Sequence, residues 1–395
     1  MKKHRPDPDR RVTRKFKGEL ADLIDEVRGK YGQTHMLKAS LDPTFCVIPT
    51  GIFMLDVALS GGWAQGRPAQ LYGYESCGKT TALLRAVAST QRKFPDMTPV
   101  IMDAETTFNS DHAEFLGVDT DNLLVERPET GENAVDIIDA LAHTAEVSFI
   151  GLDSIPALVP QKEQDDSAED AIVAVRARLV GRMCSKLTAS FIKERARGHE
   201  MTFMSVNQWR NKIGVMMGDP RTLPGGLQQN YFHMTKVEFK SKEIIKDGAP
   251  SHIETEFLLK KWKTKSPTRH GMFKTLVNND DQQVGRIDDG LQVFTYAKRF
   301  GIIKGKKPRY VVEPFGWTFD SQEDIIAKMR KNQDLDEWLR FSTLAASRMS
   351  VGLPALPPDD YLVSPTANVE ERMKKQKKET YGSPKPAKKS KFRDR

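Results

Sequence analysis

Residues 73–81 read GYESCGKTT and stand between a short apolar stretch and a helix-like run. The spacing from Gly73 to Gly78, Lys79 and Thr80 is that of a phosphate-binding loop, in which backbone N–H groups and a helix N-terminus face an anion. We therefore expect a nucleotide at this strand-to-helix corner. The residues predicted to line it are Gly73, Tyr74, Glu75, Ser76, Cys77, Gly78, Lys79, Thr80 and Thr81.

On both sides of this loop, β-like and helix-like segments alternate as in βαβ units. The predicted strands are residues 69–73, 99–104, 122–126, 147–153 and 202–207, and the predicted helices are residues 80–93, 111–116, 134–145 and 168–197. This order is typical of an α/β fold with a mostly parallel sheet flanked by helices and with ligands at the carboxyl ends of the strands. Two longer β-like runs, residues 231–240 and 253–265, are expected to extend the sheet.

Composition limits the class of protein. With 38% hydrophobic and 29% charged residues, the chain has no apolar run near the ~20 residues that a membrane-spanning helix needs. We expect no membrane segment, and the basic N-terminus lacks the apolar stretch of a signal peptide. Three scattered cysteines, Cys46, Cys77 and Cys184, indicate a reducing compartment. The expected location is cytoplasmic, in a bacterial or infected host cell.

The net charge of +8 lies at the two ends of the chain. Residues 1–18 hold eight Lys or Arg against two Asp, and residues 370–395 hold eleven against four acids, so the body between them is slightly acidic. Basic, aromatic-poor ends with prolines are typical of flexible arms that bind a polyanion. Solubilising tails are the alternative interpretation.

Three further polar residues follow predicted strands at the same edge of the sheet as the phosphate loop. Glu105, Asp153 and Gln208 each stand where an apolar run ends. Thr80 and Asp153 would hold Mg²⁺, and Lys79 would neutralise the β- and γ-phosphates. Glu105 would polarise the attacking water, and the neutral Gln208 would sense the γ-phosphate. Taken alone, Asp153 fits an N-cap or turn role better. The joint arrangement of polar residues at neighbouring strand ends is what favours the nucleotide-site interpretation.

Seven motifs follow one another along the chain: IPTG (48–51), LDVAL (55–59), YGYESCGKTT (72–81), LGVDTDNLL (116–124), RPETGENAVDI (127–137), LDSIPAL (152–158) and NQWRNKIGVMMGDPRTLPGG (207–226). In this order they resemble bacterial RecA recombinases. The resemblance runs from about residue 46 to about residue 280, weakens over 281–349 and is absent from the ends. It implies a RecA-like core with ATP and Mg²⁺ as cofactors, acting as a DNA-dependent ATPase.

The resemblance also implies partners and domains. The partners are single-stranded DNA, a homologous duplex and further copies of the chain in a helical filament that promotes strand exchange. The predicted domains are a basic arm and N-terminal oligomerisation segment (1–45), the ATPase core with DNA-binding loops (46–280), a small C-terminal α+β domain (281–349), and a Pro-rich linker with a basic tail (350–395).

Two segments match the DNA-binding loops of this family, roughly residues 156–173 and 209–226. Basic groups suit phosphates, glycines allow close backbone approach, and apolar side chains act as wedges between bases. The predicted DNA-binding residues are Arg176, Arg178, Arg210, Lys212, Ile213, Met216, Met217, Arg221, Gly225 and Gly226. The alternatives are an ordinary surface loop and, for Arg176 and Arg178, a solvated helix face.

Subunit contacts follow from the resemblance as well. Lys261 and Lys263 match lysines that reach a neighbouring subunit's ATP, and their alternation on a strand places them on one face. An exposed basic strand face is the alternative. Tyr231 matches an aromatic subunit contact, with a buried core tyrosine as the alternative.

The chain also departs from the family pattern. His112 replaces the aromatic residue that stacks on adenine, and Asn109 replaces an acid near the base. Cys77 at the helix N-terminus is either a thiol of lowered pKa or a small space-filling residue. The basic tail contrasts with the acidic tail of bacterial relatives, which favours a divergent, phage-encoded recombinase. A hexameric RecA-like helicase and a non-hydrolysing DNA-binding accessory protein remain the alternative functions.

Overall fold

The computed structural model describes residues 18–31, 46–162, 169–211, 219–246, 248–263, 265–277, 285–313 and 315–356. The predicted DNA-contacting residues Lys212, Ile213, Met216 and Met217 lie outside this set. So do most of the two basic arms and the centre of the first predicted DNA loop. In the part of the chain that is described, no helix is both long and apolar enough to span a bilayer.

The described helices and strands alternate along the chain as the sequence predicts. The helices are α1 Glu19–Tyr31, α2 Phe53–Leu59, α3 Lys79–Lys93, α4 Ser110–Phe115, α5 Gly131–Ala142, α6 Glu169–Ala196, α7 Gln228–Phe232, α8 Gly290–Arg299, α9 Gln322–Lys331 and α10 Gln333–Ser350. The strands of the large sheet are β3 Pro68–Gly73, β4 Thr98–Asp103, β5 Leu124–Glu126, β6 Val147–Asp153, β7 Thr202–Gln208, β10 Thr235–Lys246, β11 Ala249–Lys261, β12 His270–Leu276 and β13 Ile287–Asp288. Shorter strands are β1 Val47–Ile48, β2 Trp63–Ala64, β8 Arg210–Asn211, β9 Arg221–Thr222, β14 Ile303–Lys306, β15 Arg309–Val312 and β16 Trp317–Phe319.

The large sheet has nine strands in the order β13-β12-β11-β10-β3-β7-β6-β4-β5. Strands β10, β3, β7, β6, β4 and β5 pair in parallel, and β11 to β13 add an antiparallel extension. The α/β fold class, a mostly parallel sheet flanked by helices, is therefore confirmed.

Burial explains why the central strands form. Every residue of β3 and β6 is buried, as expected for strands covered on both faces. Successive side chains alternate between two cores. Phe149 packs in the cluster that includes α2, α3 and the C-terminal elements, whereas Ile150 packs in the cluster with α5 and α6.

Two predicted strand boundaries were wrong. Tyr231 lies in the short helix α7 instead of a strand, and its side chain is 80% exposed, which excludes the buried-core alternative. Strand β11 ends at Lys261, so Lys263 lies beyond the strand and the same-face argument for the two lysines does not hold. The chain turns back between Lys261 and His270, where β12 begins. Pro267 lies in this turn and has no N–H to donate to a strand partner.

The C-terminal elements form a three-stranded antiparallel sheet, β14-β15-β16, with helices α8 to α10. A buried Asp289 joins them to the core, since it accepts the backbone N–H of Phe53 (3.1 Å) and is paired with Arg340 (2.6 Å). The domain boundary at residue 281 stays a prediction. Strand β13 of the large sheet lies beyond it.

Candidate nucleotide and DNA site

The phosphate loop joins the end of β3 to the start of α3. Two glycines are required here, Gly73 because a neighbouring strand packs closely against it and Gly78 because its backbone has a positive φ. A Cβ on Gly73 would lie 2.3 Å from the carbonyl oxygen of Phe239, and Gly78 has φ +84° at the N-cap of α3. The sequence thus places a helix N-terminus at the carboxyl edge of the sheet, where an anion is stabilised.

Lys79 is buried in this loop. Its Nζ donates to the carbonyl oxygen of Tyr74 at 2.5 Å and lies 3.6 Å from Cys77 Sγ. A nucleotide phosphate would replace the carbonyl as the partner of this ammonium. Burial raises the pKa of the Cys77 thiol, with Lys79 opposing the shift, so the structure favours the space-filling role over a reactive thiolate.

Thr80 and Asp153 come from different elements and meet beside the loop. Thr80 Oγ1 donates to Asp153 Oδ2 at 2.8 Å. Burial raises the pKa of Asp153 to about 6, against the lowering effect of the Thr80 hydrogen bond. A hydroxyl and one carboxylate are a donor set that fits Mg²⁺, which takes few direct carboxylates and completes its shell with water and phosphate oxygens.

Glu105 and Gln208 also meet at this edge. Gln208 Nε2 donates to Glu105 Oε1 at 3.1 Å, and the buried hydroxyl of Ser154 donates to the same oxygen. The backbone N–H of Glu105 donates to the carbonyl oxygen of Asp153 at 3.2 Å. The structure therefore brings Glu105 and Gln208 together, as it does Thr80 and Asp153, and it adds Ser154.

Asp103 is a second residue that the sequence analysis missed. Its buried carboxylate accepts the backbone N–H groups of Thr107 (3.0 Å) and Phe108 (3.2 Å) and the Nε–H of Arg127 (3.2 Å). It thereby fixes the loop that carries Glu105. The available signal was its position at the end of β4, directly opposite Asp153 in the neighbouring parallel strand β6.

The predicted base-contacting residues lie at the start of α4. Asn109 Oδ1 accepts the backbone N–H of His112 at 2.8 Å and so caps this helix. The His112 side chain is exposed. The amide at 109 therefore has a local structural role, which an acid could also fill.

The second predicted DNA loop, residues 209–226, contains the short hairpin of β8 and β9. Arg210 pairs with Thr222 in this hairpin, and the Arg210 side chain is exposed. Gly225 and Gly226 have φ +98° and +75°, a backbone that side-chain-bearing residues rarely adopt. Arg221 does not point freely outward, because it is paired with Asp219 (2.8 Å).

The other predicted DNA and subunit contacts differ in their exposure. Arg176 Nη1 donates to the carbonyl oxygen of Pro156 (3.1 Å), and Arg178 on the same helix is exposed. Lys261 Nζ donates to the carbonyl oxygens of Asn230 (2.6 Å) and Tyr231 (3.2 Å) in α7. The pKa of Lys261 is lowered, first by burial and then by the nearby exposed Lys263.

A phosphate loop on a parallel sheet, with a carboxylate, a second carboxylate and an amide at neighbouring strand ends, defines the class of P-loop nucleoside triphosphatases. The family model of the RecA N-terminal domain matches residues 18–280. The chain belongs to the RecA family.

Individual relatives agree with this membership. Protein RecA of Kineococcus radiotolerans is 37% identical over 318 residues, which span 80% of this chain and 86% of that protein. Protein RecA of Mycobacteroides abscessus is 36% identical over 268 residues, 67% of this chain and 75% of its own length. Protein RecA of Francisella philomiragia is 34% identical over 262 residues, which span 65% of this chain and 71% of that protein. The predicted function, ATP-dependent recombination by a DNA-dependent ATPase, is confirmed by this family membership.

Proposed function

We propose that this chain binds ATP and Mg²⁺ at the phosphate loop and hydrolyses ATP within a helical filament on single-stranded DNA, where it pairs that strand with a homologous duplex. One observation carries the proposal. Five polar side chains from four neighbouring strand ends meet at one edge of the sheet: Lys79, Thr80, Glu105, Asp153 and Gln208.

Each of these residues has a distinct role in hydrolysis. Lys79 exchanges the Tyr74 carbonyl for phosphate oxygens and neutralises charge that develops there. Thr80 and Asp153 would hold Mg²⁺, which withdraws electron density from the β- and γ-phosphate oxygens. Glu105 orients and deprotonates the attacking water, and the hydrogen bond from Ser154 fixes its carboxylate.

Gln208 supplies the link between nucleotide and DNA. In the structure its amide is bound to Glu105, and its main chain continues directly into the second predicted DNA loop. A γ-phosphate would compete for this amide, which moves the first residue of the loop. Nucleotide binding thus orders or releases the loop, an order–disorder coupling of the kind that many nucleotide switches use.

We propose further that each site is completed by the next subunit. Tyr231 and Leu227 present exposed large side chains (80% and 75%) at α7, the helix whose carbonyls receive Lys261. Exposed apolar groups beside Lys261, which has no acidic partner among the described residues, are suited to a subunit interface. Lys261 and Lys263 would there stabilise the neighbour's γ-phosphate.

DNA would lie along the two loops and the helix that follows the first. Arg210 and Arg178 are exposed and suited to backbone phosphates. Gly225 is buried against Val180 and Gly226 lies against Ala177, so these two glycines serve local packing on α6. Lys212, Ile213, Met216 and Met217 stay predicted contacts. The proposed location is the cytoplasm of a bacterial or infected cell, where this DNA and ATP are present.

The discriminating experiment is a steady-state ATPase assay with and without single-stranded DNA, joined to electron microscopy of the same mixtures. We expect DNA-stimulated hydrolysis and open filaments. Closed rings would support a hexameric helicase instead, and turnover without DNA dependence would contradict the proposed DNA-dependent ATPase. DNA binding with no hydrolysis would support an accessory protein.

A further inference from the structure

The indole of Trp209 is fixed on the nucleotide side of the second loop. Trp209 directly follows Gln208, and its backbone N–H donates to the carbonyl oxygen of Gly73 at 3.2 Å. Its Nε1–H donates to Glu238 Oε1 at 3.2 Å, and the ring of Tyr72 packs edge-on at 5.2 Å. Trp209 therefore joins the phosphate loop, the sheet and the loop base.

Arg221 closes this arrangement from the other end of the loop. Its guanidinium lies over the Trp209 ring, 4.9 Å from the centroid. Its Nε and Nη2 form a bidentate pair with Asp219 (2.9 and 2.8 Å), and Nη1 lies 3.5 Å from Glu238. The bond from Arg221 lowers the pKa of Asp219 to about 2. The planar fork of an arginine suits stacking and bidentate pairing at once.

Glu238 is the buried member of the group. Its side chain is only 4% exposed and has three partners: the Trp209 indole, Arg221 and Lys260 Nζ (3.2 Å). A buried carboxylate requires such donors, since an unpaired one is strongly destabilising. The carboxylate thus holds residues from both ends of the loop against strand β10.

We propose that Trp209, Asp219, Arg221 and Glu238 form a clasp that positions Gln208 against Glu105, so that Arg221 is a positioning residue for hydrolysis and not a contact to DNA phosphate. This inference rests on the proposed function. With the clasp closed, Gln208 Nε2 lies 3.1 Å from Glu105. Because Gln208 and Trp209 are adjacent, a displaced indole displaces the amide, and DNA that pulls on the loop is felt at the nucleotide site.

The first test uses Asp219→Asn and Arg221→Gln, whose effects have the same sign if the clasp exists and opposite signs if Arg221 contacts phosphate. Under the clasp, Asp219→Asn and Arg221→Gln both lower kcat at saturating DNA, by about tenfold, and the double variant falls no further. If Arg221 instead contacts phosphate, Asp219→Asn releases the guanidinium and strengthens DNA binding, whereas Arg221→Gln weakens it. That pair of opposite results overturns the proposal.

The second test is the salt dependence of single-strand affinity, with Arg210→Gln as the matched comparison from the same hairpin. Loss of one phosphate contact reduces the slope of log K against log salt by about 0.7. We expect that reduction for Arg210→Gln and an unchanged slope for Arg221→Gln. A reduced slope for Arg221→Gln with unchanged kcat contradicts the clasp.

A third measurement does not depend on hydrolysis. The emission of Trp209, taken as the difference between the protein and its Trp209→Phe variant, reports contact with Arg221 in the free chain. We expect Asp219→Asn and Arg221→Gln to change this emission. Unchanged emission refutes the clasp even in an active enzyme, whereas changed emission with no DNA-stimulated ATPase in the unaltered protein refutes the proposed function and leaves the clasp standing.

Discussion

The phosphate-loop edge and the base of the second loop are held by different kinds of contact. At the phosphate-loop edge, side chains bond to partners across an intervening strand, as Thr80 does to the buried Asp153 and Gln208 to Glu105. At the loop base, partly exposed groups are held by an ion pair and a cation–π contact between Arg221, Asp219 and Trp209. Exposed ion pairs contribute only about 0–1 kcal/mol each. The first region is a stiff site, and the second can rearrange when DNA arrives.

The largest expected effect breaks the stiff region. Lys79→Ala removes the point charge that stabilises the transferring phosphoryl group, so we expect ATPase activity to fall by roughly 10²–10³-fold or more while the fold is retained. The measurement is steady-state turnover, with circular dichroism as the check on folding. Lys93→Ala, at the opposite end of helix α3, is the matched control. Near-normal turnover of Lys79→Ala would refute the phosphate-loop assignment.

The next prediction joins the two regions across a subunit boundary. If Lys261 and Lys263 complete a neighbour's site, then Glu105→Gln protein and Lys261→Ala/Lys263→Ala protein are each nearly inactive alone. In an equal mixture, random assembly places an intact Glu105 next to intact lysines at about a quarter of interfaces, so roughly a quarter of the ATPase activity returns. DNA-stimulated ATPase of the mixture is compared with that of each variant alone.

The matched control is an equal mixture of Glu105→Gln protein and Lys79→Ala protein. Both variants damage the same half of the site, so no interface regains an intact half and no activity is expected. If the lysine mixture behaves like this control, although both variants fold, bind DNA and assemble together, then the site is not shared between subunits.

The residues of the phosphate-loop edge were easier to predict from the sequence than those at the base of the second loop. Parallel strands bring their carboxyl ends to one edge, so Glu105, Asp153 and Gln208 followed from the positions where apolar runs end. The partners of Trp209 and Arg221 could not be predicted from the sequence in this way. Glu238 lies far along the chain in a strand that pairs with β3, and no local pattern marks a buried carboxylate that needs three donors.

The predictions for Lys261, Lys263 and Tyr231 depended on strand boundaries, which the sequence predicted incorrectly. The alternation of Lys261 and Lys263 suggested one strand face, but the strand ends at the first of them, and a two-residue argument cannot survive a boundary error of that size. The β-like run predicted over residues 231–240 includes Tyr231. The turn at Gly226 and the buried side chain of Gln229, which bonds to the carbonyl oxygens of Pro224 (2.7 Å) and Gly226 (2.8 Å), start a helix instead.

A smaller effect is expected at Asp103, which holds the loop that carries Glu105 in the stiff region. Asp103→Asn removes the charge that binds the Arg127 guanidinium and offers an N–H₂ group toward donors, which loosens the loop that carries Glu105. We expect kcat to fall about 10- to 100-fold with little change in KM for ATP. Arg127→Gln removes only the half-exposed partner and should cost no more than a few-fold. Equal losses in the two variants would show that the pair, and not the bonds to the loop backbone, positions Glu105.

The smallest expected effect lies behind the second loop, where His233 is fully buried between Ser205 and the Gln229 carbonyl. Burial lowers the pKa of His233 from 6.5 to about 3. The unfolded chain therefore takes up a proton as the pH falls through 6.5, whereas the folded chain does so only near pH 3. The stabilising contribution of this neutral histidine is complete above pH 6.5 and is lost as the pH falls toward 3, at up to about 1.4 kcal/mol per pH unit. In His233→Gln, which does not titrate, the free energy of unfolding in urea should depend less steeply on pH between 6 and 4, by about that amount. Parallel pH profiles for the two proteins would mean that the histidine is protonated in the folded chain, and that the sheet behind the second loop is wetter than the hydrogen bonds to Ser205 and Gln229 imply.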